Sequence, residues 1–244
     1  MVDLVYTELL KLRRAKMFMV SLIGAAAAPF MIFIGYLGYK AKNPGKSVMF
    51  SEVWSQTNLY ATLLIGTLLY GVITAYLFNR EYTEDTLKNL LTIPVSRTGL
   101  IVSKLVLLFF WIMILTFTSW GLIFILGLLA QYEGLSAGVI LQSLKEFFIG
   151  GSLLFLLSTP TMFVTILFKN YVPTIIFTAV ITMGNVGIAN REYKAVFPWS
   201  AAHVIAENGF VPAYPPHYSY VAILAASVIG LAATIVYFKK TDIH

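Results

Sequence analysis

Charged and hydroxyl side chains are scarce in this sequence, so the places where they gather are where chemistry can happen. The densest is Arg80-Glu81-Tyr82-Thr83-Glu84-Asp85-Thr86-Leu87-Lys88, which runs on through Leu90, Leu91 and Pro94 to Arg97. Leu87, Leu90 and Leu91 fall at i, i+3 and i+4, an apolar stub on a short helix. Glu84, Asp85 and Lys88 rim it, with the acidic pair in the first turn, where the helix dipole favours negative charge; Pro94 ends it. Such a helix either seats in a groove on a partner or lies on a lipid surface. Glu81 and Arg97 mark the two ends of the stretch. They can pair, reach a partner, or act as interfacial charges, and an exposed pair contributes only about 0–1 kcal/mol. The second gathering is Thr174, Thr178, Thr182 and Asn185, which share one helical face. They either hydrogen-bond between helices, at about 0.6 kcal/mol per contact in a membrane, or line a substrate path.

None of this is catalytic machinery. His203, His217 and His244 have no metal-ligand spacing, and there is no cysteine for a disulfide, a zinc thiolate or an iron–sulfur cluster. No G-x-x-x-x-G-K-[ST] loop is present, so the chain cannot hydrolyse ATP through a P-loop of its own. No apolar run carries Asp, Glu, Lys, Arg or His in its interior, which weighs against an ion-coupled carrier and against a membrane hydrolase. The expectation is a non-enzymatic chain without metal or cofactor. If it moves something uphill, the energy must enter from another polypeptide.

The elements that position these residues follow from composition. Of 244 residues, 59% are hydrophobic and 11% charged; a soluble domain carries about 25% charged residues. Lipid is therefore the natural solvent, and the chain reads as an all-α membrane protein forming one domain over 1–244. Six apolar runs, at about 17–39, 59–78, 104–130, 147–168, 172–189 and 219–238, are each long enough to cross a hydrocarbon core of about 30 Å. No cleaved signal peptide is expected, because the first run is too long for one. Lys169-Asn170-Tyr171 leaves only a minimal turn between the fourth and fifth runs. If the N-terminus is cytoplasmic, the inner segments hold eleven Lys and Arg, from Lys11 to Lys240, and the outer segments six, from Lys40 to Lys194. Both termini then lie inside. The net charge of +6 follows from this placement at the ends of apolar runs and does not suggest nucleic-acid binding.

Residues 2–16 read as an amphipathic interfacial helix. Val2, Val5, Tyr6, Leu9 and Leu12 form one arc, and Asp3, Thr7, Glu8, Lys11 and Arg14 the other, turned toward anionic headgroups. Residues 40–58 read as a polar outer loop turning at Pro44-Gly45. Residues 131–146 can hold a short helix leading into the fourth span. Residues 190–218 combine four prolines with Val196, Phe197, Trp199, Val204 and Ile205, which suggests short helices dipping into the outer membrane face. Pro29 and Pro160 each free a carbonyl in mid-span, and neighbouring hydroxyls such as those of Ser158 and Thr159 can satisfy it.

At the central stretch a family pattern is legible. Phe78-Asn79-Arg80-Glu81, then Thr86, Leu87, Leu90 and Leu91, then Pro94-Val95-Ser96-Arg97 and Lys104, resemble the ABC-2 type permeases, the membrane subunits of ABC exporters. Glu8-Leu9-Leu10-Lys11-Leu12-Arg13-Arg14 and Phe197-Pro198-Trp199-Ser200 are similar to the same family. The match is nearest to the small Gram-positive members of the bacitracin-resistance and lantibiotic-immunity kind. The resemblance implies a multi-pass protein of the bacterial plasma membrane. It also implies a second permease copy or related chain as partner and two ATPase subunits, which bind the ATP and Mg. The stretch 80–97 becomes a cytoplasmic coupling helix docking the ATPase through Glu81, Glu84, Asp85, Thr86, Leu87, Leu90, Leu91, Pro94 and Arg97. The segment before the last span becomes a set of short re-entrant helices. The cargo implied is a peptide antibiotic. Readings that stay open are the same fold moving a lipid, a glycan or an ion, and a non-transporting anchor for a signalling or assembly complex.

Overall fold

In the computed structural model the described residues are 2–13, 15–84 and 96–240. They form an all-helical bundle. Helix α1 (Val2–Arg13) leads into α2 (Lys16–Lys42). Next come α3 (Phe50–Tyr60), a π-helical segment (Ala61–Gly66) and α4 (Thr67–Thr83), which together make one continuous span. Helix α5 (Arg97–Leu129) is followed by α6 (Ala137–Leu156) and α7 (Ser158–Phe168), again one span, and by α8 (Tyr171–Ile188). A 3-10 turn (Glu192–Ala195) and α9 (Pro198–Ala206) precede α10 (Pro216–Lys240). Six helical stretches are long and apolar enough to cross a membrane.

The two ends of the bundle are distinct. At one end, here called the base, lie α1, the end of α4, the start of α5, the α7–α8 turn and the end of α10. Arg97 there donates to the Phe238 carbonyl at 2.8 Å and so caps the last turn of α10. The Lys169 ammonium lies 6.0 Å from the Tyr82 ring centroid. The α7–α8 turn has Lys169 at φ +51° and Asn170 capping α8 through the Val172 N–H at 2.9 Å. At the other end, the crown, a short bridge pairs Met49 with Glu133, and Phe50, Trp54, Trp120, Phe124 and Tyr132 pack as an aromatic cluster.

The helices outrun the apolar stretches that announce them. Residues 40–58 are not one loop: α3 begins at Phe50, and Phe50, Val53, Trp54 and Thr57 bury one face of it at i, i+3, i+4 and i+7. The polar residues between them, Ser51, Glu52, Ser55 and Gln56, look away from that face and lower the local hydropathy. Likewise the third long helix begins at Arg97, ahead of the apolar run at 104, and the fourth at Ala137, ahead of the run at 147.

Both mid-span prolines behave as membrane helices require. Pro29 leaves the Ala25 carbonyl without its helical donor, and Ser119 of α5 supplies a hydroxyl at 2.5 Å. Pro160 does the same to Leu156, whose carbonyl accepts from Thr159 Oγ1 at 3.0 Å; that hydroxyl also contacts Ser227 O of α10 at 2.7 Å. Helix contact is close where small residues allow it. A Cβ at Gly230 would run into the α7 backbone at Pro160, and one at Gly71 would meet Thr178.

Candidate coupling site at the base

The base is organised by four charges. Glu8 and Lys11 sit on α1, one turn apart; Glu81 ends α4; Lys104 lies on the eighth position of α5. The Lys104 ammonium reaches the Glu81 carboxylate at 2.8 Å, Glu8 at 3.1 Å and the Leu77 carbonyl at 3.0 Å. All three of its hydrogens therefore have acceptors. Lys11 reaches Glu8 at 2.7 Å and Glu81 at 3.2 Å. Glu8, Glu81 and Lys104 are buried, and the set is neutral. Burial alone would push the Glu8 carboxyl up, but Lys104 and Lys11 outweigh it and hold the group below its usual value. Burial likewise works against the Lys11 ammonium, and Glu8 with Glu81 more than offsets it, so its pKa lies above the ordinary one.

This geometry bears on two sequence expectations. The polar arc of α1 is split: Thr7 is exposed, but two of its charges pack inward. Glu8 and Lys11 turn into the protein, while Tyr6, Leu9 and Leu10 are exposed. In lipid an outward apolar face carries no cost, whereas an unpaired charge does, so the usual inside-out logic of a soluble helix is inverted. Glu81 and Lys104 are buried near the ends of the helices that carry the second and third apolar runs, so those helices hold charge where they pack at the base. Reading span limits from apolar runs alone places both at the boundary.

Of the residues singled out at the coupling stretch, Asp85, Thr86, Leu87, Leu90, Leu91 and Pro94 lie outside the described residues. Glu84 is exposed and pairs with Arg80 at 2.8 Å. Glu81 and Arg97 are engaged separately within the bundle, Glu81 in the charge cluster and Arg97 at the end of α10. Ser96 caps α5 by accepting from Gly99 N at 3.1 Å. The stretch 84–96 is thus bracketed by two firmly anchored helix ends.

The other candidate face is fully interior. Thr174, Thr178, Thr182 and Asn185 are buried, and α8 packs along α4. Thr174 and Thr165 hydroxyls lie 3.0 Å apart, joining α8 to α7. Thr178 and Thr182 bond back to carbonyls of their own helix. Asn185 Nδ2 donates to Leu63 O at 2.9 Å and reaches Thr67 Oγ1 at 3.3 Å. Leu63 lies in the π segment, where the backbone ladder is out of register and a side-chain donor is useful. A further buried contact is His203 Nδ1 at 3.1 Å from Thr62 Oγ1, joining α9 to the same segment. No spacing rule exposes His203; only its place on the short Pro198-initiated helix, with Ser200–Ala206 all buried, reveals it.

A bundle of six helices long and apolar enough to cross a membrane is a multi-pass membrane protein. Residues 4–185 match the family described as ABC-2 family transporter protein, and the chain belongs to that family. It is 62% identical over 205 residues to the bacitracin transport permease protein BCRB of Bacillus licheniformis, covering 84% of this chain and 99% of that relative.

Proposed function

We propose that this chain is the permease subunit of an ABC exporter of the plasma membrane, driven by separate ATPase subunits, whose cargo is a peptide antibiotic such as bacitracin or a lantibiotic. The observation that carries the reading is the 62% identity across nearly the whole of a bacitracin transport permease. In this reading the base faces the cytoplasm, α1 lies in the interface with Tyr6, Leu9 and Leu10 toward lipid, and α9 is a re-entrant element of the outer side. The stretch 80–97 docks the ATPase through Leu87, Leu90 and Leu91, with Glu84, Asp85 and Thr86 beside them. The charge cluster then has a mechanical role. It ties α1 to both helices that flank the docking stretch, so a displacement there moves α1, α4 and α5 as one unit. Two ATPase subunits and a second permease copy or related permease chain complete the assembly.

The test is co-purification of the permease with its cognate ATPase, followed by reconstitution. Leu90→Asp is expected to abolish both capture and bacitracin-stimulated ATP turnover. Intact capture and turnover in that variant would overturn the docking assignment. Intact capture with no response to bacitracin in the unaltered complex would point to another cargo.

A further inference from the structure

The crown holds an open cleft of about 540 Å³ between α3, α6 and the residue that follows α9, within the range of about 300–1,000 Å³ usual for ligand sites. Three carboxylates face it, Glu52, Glu146 and Glu207, and none of the described residues lining it is basic. These acids are placed rather than loose. Ser55 donates to Glu207 at 3.1 Å, and Gln142 donates to Glu146 at 2.9 Å. Trp54 is one of the walls. It is 1% exposed, stacked on Trp120 and Phe124, and its indole N–H has no hydrogen-bond partner among the described residues. A buried donor left unmade costs about 1–3 kcal/mol.

We infer that this cleft receives an ammonium-bearing peptide, with Glu146 and Glu207 as counter-charges to the ammonium. The inference rests on the peptide-cargo reading above and adds where, and by which chemistry, the cargo is met. Glu52 at the rim extends the negative field outward, which favours the approach of a cation. Burial, together with the charge of Glu146, raises the Glu207 carboxyl above its ordinary value, while Ser55 opposes the rise. An arriving ammonium relieves both penalties, and a neutral or anionic ligand relieves neither. The charged and titratable groups around Glu207 are Glu146, His203 and, more distantly, Lys194.

The test uses the permease–ATPase complex in lipid nanodiscs and three probes: bacitracin, bacitracin with its primary amines acetylated, and trilysine. Binding is read from intrinsic tryptophan fluorescence and by calorimetry. Glu146→Gln with Glu207→Gln is expected to weaken binding of the amine-bearing probes roughly tenfold or more and to leave the acetylated probe unaffected. Glu52→Lys, at an exposed position, places an ammonium of the chain's own at the cleft and is expected to weaken the same probes if the double variant does not fold. Equal binding of bacitracin to the unaltered complex and these variants would overturn the cleft and leave the cargo reading standing. Carboxylate-dependent binding of trilysine without any binding of bacitracin would keep the cleft and overturn the cargo. Failure of every amine-bearing probe to bind the unaltered complex would overturn the cleft assignment.

Discussion

Lys104 has an acceptor for every hydrogen of its ammonium, all within the chain. Lys104→Met leaves Glu8 and Glu81 buried with only Lys11 between them. Removing one partner of a buried pair costs about 3–5 kcal/mol, so the melting temperature of the solubilised permease is expected to fall sharply. The triple variant Glu8→Gln, Glu81→Gln, Lys104→Met should recover much of that loss, because replacing a whole buried ion set is close to neutral. The pH response has a definite sign. Glu8 is held below its ordinary value of 4.5, so its contribution is full above pH 4.5 and is lost as pH falls through the lowered value. His203 acts in the same direction for another reason. Burial, aided by Lys194, lowers its pKa from 6.5 to about 4, so the unfolded chain binds the extra proton first. Its contribution is complete above pH 6.5 and declines as pH falls toward 4. Thermal unfolding between pH 7 and 4 checks this, and His203→Gln should flatten that part of the profile. The charges involved are visible in the sequence, but their partners are not. Glu8 and Lys104 stand 96 residues apart, and a helical wheel of residues 2–16 cannot say which face meets protein when the surrounding solvent is lipid.

Helix contacts in the bundle are decided by small residues and hydroxyls, and they yield a graded mutational series. Gly35→Ala and Gly121→Ala meet nothing within 4 Å and are expected to be close to silent. Gly71→Ala presses on the Thr178 side chain and should cost about 1–3 kcal/mol. Gly230→Ala should cost more, since it presses on the backbone of α7 at Thr159 and Pro160, which cannot rotate away. Unfolding of the purified variants ranks them. Asn185→Leu removes the donor to Leu63 O and is expected to cost about 1–3 kcal/mol, with no loss of cargo affinity if that face only packs helices. Six spans, the tight turn at Lys169 and the proline-freed carbonyls are legible because length, polarity and backbone chemistry are local. The start of α3 is not, because half its surface is polar and faces the open cleft. The π segment is not either, since nothing in Ala61-Thr-Leu-Leu-Ile-Gly66 departs from an ordinary apolar helix.

For the molecule as a whole, the cysteine-free sequence makes orientation directly measurable. Lys46→Cys, in the crown, should react with a membrane-impermeant maleimide in intact cells, and Lys239→Cys, at the base, only after permeabilisation. The reverse pattern would turn the protein over in the membrane and move the docking stretch to the wrong side for an ATPase. The family is readable from scattered short motifs. The acidic cleft is not, because its three carboxylates come from segments far apart in the chain and meet only once the crown has closed. The charge cluster also constrains biogenesis. Glu8 leaves the ribosome 96 residues ahead of Lys104, which at about 5–20 residues per second is a wait of roughly 5–20 s. During that interval α1 has no counter-charge from the third span. Docking of the first helix is thus among the late events of assembly, and nascent chains arrested before residue 104 should expose α1 to protease while the full chain protects it.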